Sequence, residues 1–429
     1  MKDAMSVSHQ ISLRDTISKL VNDSRAALAE APRWQRGFQI FWLLGPFILL
    51  IERSPADAWL TILALAFVVR AVIKRDGGFL RAFWVRAAFL FWGVCLLSAA
   101  VSAIPAYSLG EAFIWIRFPL FAMASVYWLG QDKRLLYAMF MSTAIGMMVM
   151  TGILTAEILI IGPQNGRLSW PYGDLVPGNY LTKVGLPAFA VMIALAVSPY
   201  KSVRGWASLA SLITIILSVI TGERINFILR ACGGMLAGLI WRPSLYRYGA
   251  LILIEILAIA TVFTVTPDTG NRFTQQFMNE MPVDAGSPYY RVMYGAVVVY
   301  EEAPILGIGT ANYRILCNEL TQHVPEVDCN THPHNYYLQM LGETGIIGLI
   351  FGSIMIISII WFCFVTGMRG RANVLAATAF IVPLGLFFPI QTTADFFGQW
   401  NNIFMWSAIA LALATRNLVA SNGTTSQER

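Results

Sequence analysis

Twelve long apolar runs dictate what this chain can become. They are 37–52, 57–73, 85–104, 110–129, 135–161, 183–199, 205–221, 225–241, 246–266, 335–364, 372–389 and 398–416. A helix crossing a bilayer needs roughly 20 consecutive, mostly apolar residues. Runs this long and this frequent do not fit the cores of a few soluble domains. Composition agrees: 57% of residues are hydrophobic and 13% charged, against about 25% charged in an ordinary soluble domain. The runs lack the period-2 alternation of barrel strands, so helices are the expected spanning element. The expected fold is an all-α integral membrane protein of about 12 transmembrane helices. One large, partly helical loop on the outer, periplasmic face should accompany them.

Lys and Arg placement sets the orientation. Lys2, Arg14, Lys19, Arg25, Arg33 and Arg36 precede the first run and put the N-terminal segment in the cytoplasm. Alternate loops follow suit: Lys74, Arg75, Arg81 and Arg86; Lys133 and Arg134; Lys201 and Arg204; Arg242 and Arg247; Arg369 and Arg371. Twelve crossings return Arg416 and the tail to the same side. The net charge of +6 is therefore mostly a topology signal. No basic face with interleaved aromatics suggests nucleic acid. The first run begins too late for a cleavable signal peptide, and no small-residue cleavage site follows it. Ahead of it, Ile11, Leu13, Ile17, Leu20 and Val21 lie among charges. They fit an amphipathic helix on the cytoplasmic leaflet and a solvated tail equally well.

The expected organisation is a cytoplasmic segment 1–36, spans one to nine over 37–266, and a large outer loop 267–333. Spans ten to twelve follow over 334–416, then a cytoplasmic tail 417–429. A shorter outer loop, Gly162–Thr182, is rich in Gly, Pro and aromatics. A long loop in a tight bundle usually carries function. Within it, Tyr289, Tyr290, Met293, Tyr294, Val297 and Tyr300 are spaced to bury one helix face. Cys95, Cys232 and Cys363 fall in spans and act as small apolar residues. Cys317 and Cys329 share the long loop, where a bridge is the favoured reading and two free thiols the alternative.

The chemistry gathers where that loop meets the tenth run, at His332-Pro333-His334-Asn335-Tyr336. A neutral imidazole at a membrane surface is a candidate general base. Pro333 fits the first helical position with Thr331 or His332 as cap, which would put His334 in the first turn, where the dipole favours the neutral base. Gly342, Gly345 and Gly348, spaced by three, offer a flat stripe for a neighbouring helix. Arg224 in Thr221-Gly222-Glu223-Arg224, Arg291 on the loop helix, Arg167 and Lys183 bracketing the shorter loop, and Asp395 before the last run all map to the same face. Any one of them alone reads as interfacial snorkelling, the default for Arg53, Arg272 and Arg314. Several cations converging with a histidine suggest a pocket for a phosphorylated ligand, which Arg can grip bidentately. His323, Cys329, His332 and His334 match no metal-ligand spacing. Gly307-Ile308-Gly309-Thr310-Ala311-Asn312 lacks the Lys-Ser/Thr of a phosphate loop and reads as a turn closing the loop helix.

These residues resemble the O-antigen ligase and polymerase superfamily of bacterial inner-membrane glycosyltransferases, and the ligase most. The resemblance covers most of the chain in topology and is most specific over 289–348. There Arg291, Pro304-Ile305-Leu306-Gly307-Ile308-Gly309, Asn312-Tyr313, His334-Asn335, Gly345 and Gly348 follow the family's pattern. Arg224 is similar to an arginine the family carries after Ser-Gly-Ser, with Glu223 as a departure. Asp395 resembles an acidic residue before the final span, and Arg167 another family arginine. The resemblance implies a donor glycan on undecaprenyl pyrophosphate, lipid A–core as acceptor, membrane lipids as surroundings, and no metal, nucleotide or other cofactor. It implies His334 as base, Arg224 and Arg291 on the leaving pyrophosphate, and Arg167 and Lys183 as auxiliaries. Asn335 and Tyr336 would be at the substrate, and Asp395 would position a cation or the acceptor. A polymerase, a protein O-oligosaccharyltransferase and, in another class, a secondary transporter are the alternatives. The transporter would use Glu111, Arg117 and Arg230, but should show internal symmetry and paired broken helices.

Overall fold

The computed structural model describes residues 13–173, 176–199, 201–241, 244–389 and 394–419. Lys2, Ile11, Arg242 and the tail beyond 419 therefore lie outside the described residues. The chain is helical; a bridge between Gln164 and Arg167 is the one β-feature among the described residues. Eight described helices are long and apolar enough to cross a membrane: Arg53–Lys74, Phe83–Ala100, Pro105–Leu129, Lys133–Ile160, Val203–Ile220, Leu245–Val265, Tyr336–Arg369 and Gln399–Val419. Val176–Val184 and Leu186–Ala196 meet at 56° and make a ninth if they form one broken span.

The remaining expected runs are short or interrupted, and proline explains most of this. The run 37–52 folds as Arg33–Leu43 and Gly45–Ile48, with Pro46 opening the second piece. Pro187 opens Leu186–Ala196, and Pro383 lies inside Ile381–Leu386. A ring without an N–H cannot continue the preceding helix. Arg224–Ile240, of 17 residues, and Val374–Leu386 are shorter than a full span.

Packing separates centre from rim. In Gln399–Ala414, every residue from Asn401 to Ala414 is buried. Small residues (Ser407, Ala408, Ala410, Ala412) let neighbouring backbones close in, as in helix packing without a water-driven force. Leu245–Val265 is the opposite case: Leu251 is its buried residue, while Leu253, Ile254, Ile256 and Leu257 face outward. Such an outward apolar surface suits a helix solvated by hydrocarbon. The N-terminal ambiguity resolves as a helix, Leu13–Glu30, packed on Lys133–Ile160. Glu30 receives Arg134 through two bonds of 3.0 and 2.6 Å.

The 267–333 segment is largely helical, with Pro288–Glu302 and Tyr313–Leu320 as its main pieces. Cys317 and Cys329 form a disulfide across it. The expected tyrosine face of Pro288–Glu302 is corrected. Its buried residues are Val292, Gly295, Ala296, Val298 and Val299, and the tyrosines are half-buried at the edges. The small residues admit Tyr313, whose hydroxyl lies 2.6 Å from where a Gly295 Cβ would stand.

The glycine stripe is corrected as well. Gly342 does face a helix: a Cβ on it would stand 3.4 Å from the Ala296 carbonyl oxygen. Gly345, at φ 66° and ψ −171°, instead breaks Tyr336–Arg369 in two. Such a backbone is essentially glycine-only. The loop after Glu302 fits into the break. Ile308 and Gly309 donate to the Gly342 and Glu343 carbonyls at 3.1 and 2.9 Å, while Ile346 donates back to Pro304 at 2.9 Å. The Gly307–Asn312 turn is thus a plug for a broken helix.

Candidate active site

Helix capping fixes the histidine. Asn335 is the N-cap of Tyr336–Arg369; its Oδ1 accepts from Tyr337 N and Leu338 N at 3.0 and 3.2 Å. His334 therefore precedes the helix, in the left-handed region at φ 54°. The expectation that Pro333 opens the helix and His334 sits in its first turn does not hold, because an Asn side chain caps better than Thr331 or His332 can from further back. Asn335 Nδ2 donates to Pro389 O at 2.9 Å, so this residue braces the turn. The His334 ring lies edge-on to Tyr289 at 5.4 Å and 4.4 Å from the His332 ring. Asn330 Nδ2 stands 3.2 Å from His334 Nε2.

Tyr289, edge-on to His334, also meets Arg224: burial raises its hydroxyl pKa, and the Arg224 charge and hydrogen bond oppose that shift. Leu168 N donates to Ile220 O at 3.1 Å, which lays Arg167 along the Thr221–Arg224 turn. Gly222 holds φ 76° there, and a Cβ on it would meet Arg167 Cγ at 2.7 Å and Arg272 Nε at 3.2 Å. Arg167 is 3.7 Å from Glu223. Arg224 pairs with Glu280 and donates to Arg272 O at 3.2 Å. Burial pushes the Glu223 carboxyl up, although Arg167, Lys183, Arg272 and Arg224 all oppose that shift. Burial lowers Arg272, and the adjacent Arg167 and Arg224 charges add to it. Four cations (Arg167, Lys183, Arg224, Arg272) thus share space with two carboxylates (Glu223, Glu280), an excess of 4 − 2 = 2 positive charges. Partly buried like charges of this kind favour an anion.

A second network lies beside the first. Lys183 sits in a π-helical turn, Tyr180–Val184, and donates to Asn401 Oδ1. Asn401 Nδ2 donates to Tyr336 Oη at 2.8 Å. Asp395 pairs with Arg314 and accepts from Gln339 Nε2 at 2.7 Å. Burial works against the Arg314 charge, but Asp395, Tyr107 and Glu343 together outweigh it and the guanidinium pKa is raised. Gln339 also reaches Glu343 at 3.3 Å, and Glu343 accepts from Ala311 N at 2.6 Å and Tyr313 N at 3.3 Å. A cavity of about 920 Å³ opens here, lined by His332, Asp395, Arg314, Arg117, Glu111 and Arg53 among others.

The structure brings Arg167, Lys183 and Arg224 to one cluster and joins it to His334 through Tyr289. Asp395, Tyr336 and Asn335 belong to the adjoining network. Arg291 goes elsewhere: it pairs with Asp328 at 3.0 Å and donates to Pro325 O at 3.2 Å. Arg272 and Arg314, assigned to snorkelling, are both tied into these networks, and Arg53 lies over the Trp400 ring at 5.7 Å. Gln339 and Glu343 carried no assignment. The available signal was their i, i+4 spacing inside an apolar run, where polar side chains are costly.

A multi-pass helical membrane protein with a cationic cluster beside a histidine is thus the class that fold and site define. Residues 209–353 match the family model described as O-Antigen ligase, which supports the O-antigen ligase and polymerase superfamily. The matched stretch carries Arg224, Arg291, His334, Asn335 and Tyr336, while Arg167, Lys183 and Asp395 lie outside it. Among curated proteins, none matches the chain.

Proposed function

We propose that this protein is an O-antigen ligase, moving a glycan from undecaprenyl pyrophosphate to a hydroxyl of lipid A–core. The observation that carries the reading is the four-cation cluster around Glu223, whose Arg224 meets Tyr289, the ring against which His334 packs. In the proposed arrangement twelve spans cross the bacterial inner membrane, both termini are cytoplasmic, and His334 faces the periplasm. The short and broken helices complete the count with the eight clear spans.

The acceptor hydroxyl attacks the anomeric carbon as the bond to the pyrophosphate oxygen breaks, with inversion. His334 Nε2, exchanging Asn330 for the acceptor, takes the hydroxyl proton. Arg224, Arg167 and Arg272 stabilise the charge arriving on the pyrophosphate, and Lys183 adds to it. Arg291 acts at one remove: its grip on Asp328 and Pro325 fixes the strand of chain leading to Asn330 and His334. Asp395 orients Arg314 toward the cavity, where the acceptor is placed.

The test is the lipopolysaccharide banding pattern of a deletion strain complemented with this chain. A ligase restores polymer on the core; without it, lipid-linked polymer accumulates. A deletion leaving a single repeat unit on the core would identify a polymerase instead.

A further inference from the structure

A second cavity, of about 910 Å³, opens between the Gly78–Arg81 turn, the start of Phe83–Ala100, the end of Tyr336–Arg369 and Arg416–Val419. It cannot be part of the site above. His334 precedes one end of Tyr336–Arg369, whereas this cavity is lined by Ser358 to Arg369 beyond the break at Gly345, and it shares no lining residue with the cavity beside Asp395. Arg81, Arg369 and Arg416 line it. Among the described residues none of the three has a carboxylate partner. Asp76, the described lining carboxylate, lies 3.3 Å from Arg70. The Arg416 guanidinium rests over Tyr127 and Phe362 at 5.9 and 5.7 Å, which holds it at the cavity. Phe83 and Trp361 also line the cavity and are 60% and 63% exposed.

One arginine at the end of a span is ordinary snorkelling. Three without acidic partners, sharing a cavity with exposed aromatic rings, ask for something anionic and greasy at once. We propose that this cavity binds the phosphate headgroup of an anionic membrane lipid. The arginines hold the phosphoryl oxygens, and the hydrocarbon lies along Phe83 and Trp361, as in other basic pockets between transmembrane helices. A free phosphate would satisfy the arginines but leave the aromatic wall unused.

The experiment measures the melting temperature of the full-length protein in neutral detergent. Phosphatidylglycerol, phosphatidylcholine or inorganic phosphate is added at equal phosphate concentration. A ligand that binds the folded state raises the melting temperature. Phosphatidylglycerol should raise it clearly, phosphatidylcholine by less than half as much, and inorganic phosphate not at all. Arg369→Gln with Arg416→Gln should lose the phosphatidylglycerol shift. Arg81→Gln, which disturbs no ring contact described here, should lose part of it. Arg371→Gln, exposed at the same end but outside the lining, should keep it. Equal shifts with phosphatidylcholine, or a full shift in either cavity variant, would overturn the proposal. A shift reproduced by inorganic phosphate would overturn the lipid and leave an anion pocket.

Discussion

His334 sits outside the helix that follows it, so its replacement removes chemistry and little packing. His334→Ala should abolish glycan transfer while the detergent-purified protein keeps its far-ultraviolet spectrum and melting temperature. His332→Ala should retain most activity; equal loss at both would move the base away from His334. Arg224 acts through a fork that reaches Glu280 and Arg272 O together. Arg224→Lys should therefore lose transfer despite its charge, since an ammonium has no such fork. Transfer near the parent rate in that variant would show that positive potential alone suffices. Glu223 gives a pH prediction. Burial raises its pKa, so the folded state holds that proton more tightly than the unfolded chain. The linked stability is fully present below the ordinary carboxyl value of about 4.3 and is lost as pH rises through the raised folded value. Glu223→Gln should thus melt higher than the parent at pH 8 and match it near pH 4. A constant difference between the two across that range would exclude Glu223 as the titrating group.

Among the elements, Tyr336–Arg369 is the most exacting. Gly345→Ala puts a Cβ 2.3 Å from the Ile305 carbonyl oxygen in a backbone region closed to side chains. The strain alone costs roughly 1–3 kcal/mol, and relieving it means expelling the 304–309 segment. Melting temperature and transfer should fall together; a variant with parental stability would contradict the plugged break. The apolar run over 335–364 was legible, because composition alone marks it. The break was not, because periodicity sees three glycines and cannot tell a packing stripe from a backbone at positive φ. The cap was missed for a related reason. Pro333 is a good opening residue in isolation, but Asn335 competes from two positions further on and wins with two hydrogen bonds. Arg224 and His334 were expected on one face, and Tyr289 stands between them. Arg272 was not, since only the folded turn at Gly222 brings it beside Arg167.

For the whole molecule, the role proposed for the cationic cluster is the stabilisation a metal would otherwise supply at the leaving group. Purified protein given lipid-linked glycan and lipid A–core should transfer in excess EDTA, without nucleotide. Activity that vanishes in EDTA and returns with one divalent ion would contradict this. The plugged break also bears on how the protein is made. Residues 304–309 leave the ribosome before 342–347, yet the two segments supply each other's backbone hydrogen bonds. The 304–309 segment therefore has no complete folded state of its own and must wait, its hydrogen bonds unmade, for Tyr336–Arg369 to form. Insertion of that span and closure of the 267–333 segment become a single late event in biogenesis, and a chain stalled between them would be a natural substrate for quality-control proteolysis.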